Sequence, residues 1–99
     1  MIEINKYISE VIYAGLLRLE IKENVLVEKS ANSDFGDFSS NIAMVLAKTL
    51  RKNPFEIAEM IQSELTIDNE IISEHSVTPP GFINFRVAKS FYQKTVTHI

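Results

Sequence analysis

The 99-residue sequence contains no cysteine. That excludes a disulfide framework and any zinc site built on thiolates, and it permits a reducing compartment. Long apolar runs are missing too, since no stretch approaches the ~20 residues that a bilayer-spanning helix needs. The N-terminal MIEINKYISEV mixes acids and a lysine into an amphipathic pattern, unlike the basic and then apolar regions of a signal peptide. Positive charge is scarce: 10 Lys and Arg stand against 13 Asp and Glu, a net charge of −3. Gripping a polyanion by charge alone takes clustered basic residues, so any contact with nucleic acid must be local and chemical. The two histidines, His75 and His98, share no metal-ligand spacing with Asp or Glu. There is no internal repeat and no low-complexity segment.

What is present suits one compact domain over residues 1–99, with an ordinary 45% hydrophobic content. Ile4, Tyr7, Ile8, Val11, Ile12 and Leu16 recur at helical spacing and predict an amphipathic helix over about 3–21. Val25–Lys29, short and β-branched, predicts a strand. A polar loop follows, and Gly36 supplies the permissive backbone for a sharp strand-to-helix turn. Ala43, Leu46, Ala47 and Leu50 predict a second helix over about 39–51, with Ser39 or Ser40 as cap and Asp37 near its positive end. Asn53-Pro54-Phe55-Glu56 is a start signal for a third helix: an N-cap, a proline at the first helical position and a capping-box acid. Strands are predicted at 71–77 and 82–87, with Pro80-Gly81 as the central pair of a type II turn. A last helix over 88–99 has no stop signal, which implies a chain cut within or just after it. The order α-β-α-α-β-β-α predicts an α+β fold, a small mostly antiparallel sheet packed with helices.

The chemistry concentrates in Phe82-Ile83-Asn84-Phe85-Arg86-Val87. Side chains alternate along a strand, so Ile83, Phe85 and Val87 make a core face. Phe82, Asn84 and Arg86 then share the other face at ~6.6–6.8 Å spacing. A ring can stack on an unpaired base, an amide can read a base edge, and a guanidinium can grip a phosphate. The competing reading is that Phe82 packs under a helix and Asn84 bonds to a neighbouring loop, making the strand a docking surface.

Asp34-Phe35-Gly36-Asp37-Phe38 contains the Asp-Phe-Gly of a kinase metal site, but no glycine-rich or catalytic loop accompanies it. Its acids have no nucleophile or histidine partner nearby, so the segment is expected to be a loop with its aromatics buried. Lys48, Arg51 and Lys52 crowd a helix end and offer at most a weak phosphate contact.

Two segments carry a family resemblance. Phe35-Gly36-Asp37-Phe38-Ser39-Ser40-Asn41, followed by an Ala-containing helix, resembles the Phe/Tyr-Gly-Asp-Phe/Tyr, two variable positions, Asn pattern of the arginyl-tRNA synthetase N-terminal domain. Pro80-Gly81-Phe82-Ile83-Asn84-Phe85 resembles that family's Pro-Gly-Phe-hydrophobic-Asn strand. The two stand in the right order, and together they are specific. The resemblance implies a cytoplasmic, tRNA-binding accessory domain of an arginine–tRNA ligase. Its partners would be tRNA(Arg) and the catalytic domain of the same chain, with no membrane or DNA partner. By position, Phe82 and Asn84 would recognise a D-loop nucleotide at the tRNA corner. Arg86 is added from the strand pattern alone. Phe35, Gly36, Asp37, Phe38, Asn41, Pro80 and Gly81 would serve as structural motif residues. No catalytic or metal-binding residue is expected here, because both class I ATP-binding signatures are absent. ATP and Mg would belong to the parent enzyme. One departure is Pro79, where the family often has Gly.

Overall fold

The computed structural model describes residues 3–30 and 33–91. In chain order its elements are α1 (Ile4–Arg18), β1 (Glu28–Lys29), β2 (Phe38–Ser40), α2 (Ile42–Leu50), α3 (Pro54–Ser63), β3 (Ile72–Thr78) and β4 (Phe82–Val87). The strands form one antiparallel sheet in the order β1-β2-β4-β3. Helices line one side, where Ile8, Ile12 and Leu16 of α1, Ile42, Ala43 and Leu46 of α2, and Ile57, Ala58 and Ile61 of α3 are buried with Ile83, Phe85 and Val87 of β4. This is the expected α+β fold. Among the described residues no helix is long and apolar enough to cross a membrane.

Local rules account for the start of α3. Asn53 caps α3 through its side chain, which accepts a 2.8 Å hydrogen bond from the Phe55 N–H, and Pro54 occupies the first turn. Glu56 lies in that first turn, where its charge complements the helix dipole. Asn53→Ala is expected to lower the unfolding free energy by about 1 kcal/mol, read from urea denaturation. An unchanged midpoint would show that the cap is dispensable.

Three differences from the sequence reading are structural findings. The alternation at 25–29 is real, with Val27 buried and Leu26 exposed, but ladder pairing is confined to Glu28–Lys29. Phe38–Ser40 forms a strand where a helix start was expected, because those backbone groups pair with Ile83, Asn84 and Phe85 of β4. Asn41 is therefore the residue before α2, with no side-chain cap bond, while the buried Ser40 hydroxyl accepts from the Ile42 N–H and donates to the Leu26 carbonyl. Asp37 serves β4 and not the helix dipole: its N–H donates to the Phe85 carbonyl at 2.7 Å, and its carboxylate accepts from the Val87 N–H at 2.8 Å. The side chain thus supplies the acceptor that a longer β2 would have offered.

The turn between β3 and β4 also differs. Gly81 does not adopt a positive φ, so Pro80-Gly81 is not a type II pair, and the Pro79–Pro80 peptide is cis. Gly81 is required for another reason, since a Cβ there would lie 2.9 Å from the Pro54 Cβ at the start of α3. Residues 89–91 begin the predicted last helix, while Tyr92, Thr95, His98 and Ile99 lie outside the described residues.

Candidate nucleic-acid interface

β4 sits between β2 and β3, so the cross-strand partners of its outward residues share their face. Phe82 pairs with Thr78, Asn84 with Ser39 on one side and Ser76 on the other, and Arg86 with Glu74. A bulge between Ile72 and Glu74 makes the last pairing possible. One extra residue reverses which parity points outward, so Ile72 is buried while Glu74 stands beside Arg86. Helices cover the opposite face, as the burial of Ile83, Phe85 and Val87 shows. Phe82, Asn84 and Arg86 therefore share the face that none of the described helices α1, α2 and α3 lines, as the pleat predicts.

On that face lies an open groove of about 490 Å³, lined by Glu28, Lys29, Ser30, Phe35, Ser39, Thr78, Pro79, Phe82 and Asn84. Its three central groups differ in character. Phe82 is 37% exposed, offering ring surface to a ligand. Asn84 is 3% exposed, and its Nδ2 donates a 3.0 Å hydrogen bond to the Thr78 hydroxyl. That bond uses one of two amide N–H groups and leaves the carbonyl oxygen out of account, and these are the atoms that a base edge requires. Phe35 is 51% exposed on the groove rim, which corrects the expectation that the aromatics of its segment are buried. Phe38, three residues on, does pack against the core.

Arg86 is occupied within the chain. Nε donates to Glu74 at 2.9 Å, and Nη2 donates to the carbonyls of Ser33 and Asp34, both at 3.0 Å. Gly36, the next element of that loop, lies flat on β4: a Cβ there would be 2.7 Å from the Phe85 carbonyl oxygen. Pro80 and Gly81 shape the far end of the groove without lining it, and Asn41 lies beside a smaller hollow of about 70 Å³ that Phe82 also borders. Sequence reasoning missed Phe35 as a groove residue, because nothing in a loop's local pattern tells which way a ring points.

The remaining candidates lie elsewhere. His75 sits on edge strand β3 with Nδ1 bonded to the Gln62 amide at 2.8 Å and its ring 6.4 Å from that of Phe85. Lys48, Arg51 and Lys52 are exposed at the end of α2 and do not line the groove. Among the described residues no group of three or more His, Cys, Asp or Glu could hold a metal ion. The groove offers aromatic rings at Phe35 and Phe82 and an amide at Asn84, with hydroxyl groups and the charged Glu28 and Lys29 also in its lining.

Comparison with known proteins gives a consistent result. The family model described as arginyl tRNA synthetase N terminal domain matches residues 3–87. An arginine–tRNA ligase of Mycoplasma mobile is 46% identical over 85 residues, which is 86% of this chain and 16% of the relative. One from Prosthecochloris aestuarii is 40% identical over 81 residues, 82% of this chain and 15% of the relative. The chain thus spans about a sixth of the length of the curated relatives it matches. Among solved structures, the Thermus thermophilus arginyl-tRNA synthetase superposes with a TM-score of 0.83 at 24% identity, covering 94% of this chain and 15% of that one. The Plasmodium falciparum arginyl-tRNA synthetase does so with a TM-score of 0.82, also at 24% identity, covering 94% of this chain and 17% of that one. At that identity the likeness concerns the fold.

Proposed function

This chain belongs to the arginyl-tRNA synthetase N-terminal domain family, and from that premise we propose that it is the tRNA-binding accessory domain of an arginine–tRNA ligase. In this reading an unpaired D-loop nucleotide at the corner of tRNA(Arg) enters the groove, stacks on Phe82 and is read on its edge by Asn84. The catalytic domain of the same ligase, using ATP and Mg, would join arginine to the positioned tRNA in the cytoplasm. The observation that supports this is the exposed Phe82 ring beside an amide, over a groove on the sheet face opposite the described helices α1, α2 and α3.

The physical logic is one of local fit. With a net charge of −3 the domain gains little from phosphate neutralisation, so its contribution must come from stacking and edge contacts. Thr78 holds the Asn84 amide in one orientation, which removes a rotational freedom that binding would otherwise have to freeze. A base seated against Phe82 would displace water from the groove and make the buried amide's hydrogen bonds stronger than the same bonds at an exposed surface.

The test is tRNA(Arg) charging by the ligase carrying this domain. Phe82→Ala is expected to raise KM for tRNA roughly tenfold, the order expected for a lost base stack, and Asn84→Ala by up to roughly tenfold, the order expected for a lost hydrogen bond, with kcat less affected in both. A change under twofold in both would remove the contact. The local bond from Asn84 to Thr78 favours one second reading, in which the strand only docks on a neighbouring domain, although that reading also expects a buried Phe82, which is 37% exposed. That reading requires Asn84→Ala to lower stability while leaving the tRNA KM alone.

A further inference from the structure

The groove has a second aromatic wall that the strand pattern does not supply. Phe35 stands on its rim, half in water, yet the backbone beneath it is tied down. On one side Arg86 Nη2 bonds the carbonyls of Ser33 and Asp34, and the Gly36 N–H donates to the Ser33 carbonyl at 3.3 Å. On the other side Asp37 is fastened to β4 through both its N–H and its carboxylate. Single exposed apolar side chains are ordinary on protein surfaces, so the informative observation is the anchored backbone and the position of this ring on the groove. Asp37 also completes the hydrogen bonding of β4, whereas the Arg86 bonds to Ser33 and Asp34 lie outside the hydrophobic core. They hold the loop over the groove.

Resting on the RNA-binding reading above, we propose that Phe35 is a second stacking face for the nucleotide held by Phe82 and Asn84, and that Arg86 is the positioning residue that holds Phe35 there and not a phosphate ligand.

The role of Arg86 follows from how its guanidinium is spent. Its planar fork is matched to two adjacent carbonyls and a carboxylate, a geometry that a lysine cannot reproduce. Glu74 neutralises its charge at 2.9 Å, which weakens any pull on a phosphate. The ion pair is exposed, with side-chain exposures of 35% and 68%, and pairs of that kind add little to stability. Aiming the loop is the function left to it. A base between two aromatic walls is held on both faces, and water is kept from the Asn84 amide below.

Filter binding of a tRNA(Arg) transcript by the ligase that carries these residues tests this directly. Phe35→Ala is expected to weaken binding roughly five- to twentyfold, within the range of one lost base–aromatic stack. Phe35→Tyr, which keeps the ring, should stay within twofold of wild type. Arg86→Gln should weaken binding about as much as Phe35→Ala, and the double variant should be no weaker than either single one, since both remove the same wall. The slope of log Kd against log salt should be the same in Arg86→Gln as in wild type, whereas a lost phosphate contact would lower it by about one. Additive losses, or that change of slope, would overturn the positioning role. If Phe82→Ala weakens binding and Phe35→Ala does not, the second wall is disproved while the RNA-binding reading stands. If neither variant weakens binding, both fall together. Because Phe35 is half exposed, thermal unfolding of its variants should match wild type, which separates a binding loss from misfolding.

Discussion

Phe85→Ala is expected to lower the unfolding free energy by about 3–5 kcal/mol, the range for deleting a buried phenyl ring. Phe85 is among the largest fully buried side chains and is 1% exposed, on the interior strand that α2 and α3 pack against. Its ring has no route to collapse of the cavity from one side, because β2 and β3 pair with the same strand and hold it in place. The backbone bonds of Phe85, including that from the Asp37 N–H, survive the substitution, so the ladder and the surface exposed on unfolding should be unchanged. A urea titration should therefore show a lower midpoint, by roughly 2 M for a slope near 2 kcal/mol/M, with the slope preserved. For a domain of ordinary stability, about 5–15 kcal/mol, this is a large share of the total. Phe82→Ala, three residues away on the other face of the same strand, should change the midpoint far less. A loss below about 1 kcal/mol in Phe85→Ala would mean that the core is not seated on β4 as described.

Gly36→Ala is expected to be nearly as damaging, by about 2–4 kcal/mol, for a different reason. Gly36 has φ +147°, a backbone conformation that L side chains rarely adopt. An added Cβ would also meet the Phe85 carbonyl oxygen at 2.7 Å, its carbon at 3.0 Å and its nitrogen at 3.1 Å. These are backbone atoms of the middle strand, so relief requires moving β4 out of register or lifting the loop. The loop is the weaker partner. Its displacement would break the Asp37–Val87 bond and carry Phe35 off the groove rim. Gly36→Ala should therefore raise the tRNA KM of the ligase as well as lower the urea midpoint, whereas Phe85→Ala should affect KM only through the fraction unfolded. A stability change under 0.5 kcal/mol would show that Gly36 does not lie against the strand.

Much of the candidate site could be read in advance, and the reason is geometric. A strand has a period of two, so Phe82, Asn84 and Arg86 had to share a face once 82–87 was extended, and the apolar Ile83, Phe85 and Val87 named the buried one. What could not be read was how each residue on the open face is engaged. Arg86 looked like a free cation because its partners, Glu74 and the carbonyls of Ser33 and Asp34, are 12 to 53 residues away in sequence. Phe35 looked like buried filler because loops carry no period from which to infer direction. The depth of Asn84 and its bond to Thr78 depend on how closely β3 and its turn approach.

Local composition by itself determined the apolar stripes of the helices and the start of α3, which are set within four or five residues, as the Ile8, Ile12, Leu16 row and Asn53-Pro54 show. It also determined β4 and the two faces of that strand. Only the tertiary structure decided that Phe38–Ser40 would be a strand, that a bulge beyond Ile72 would turn Glu74 toward Arg86, and that Gly36 would press on Phe85. The division follows from range. A helix satisfies its own backbone within one turn, whereas a strand's hydrogen bonds, its register and the loops laid across it are completed by residues that only folding brings near.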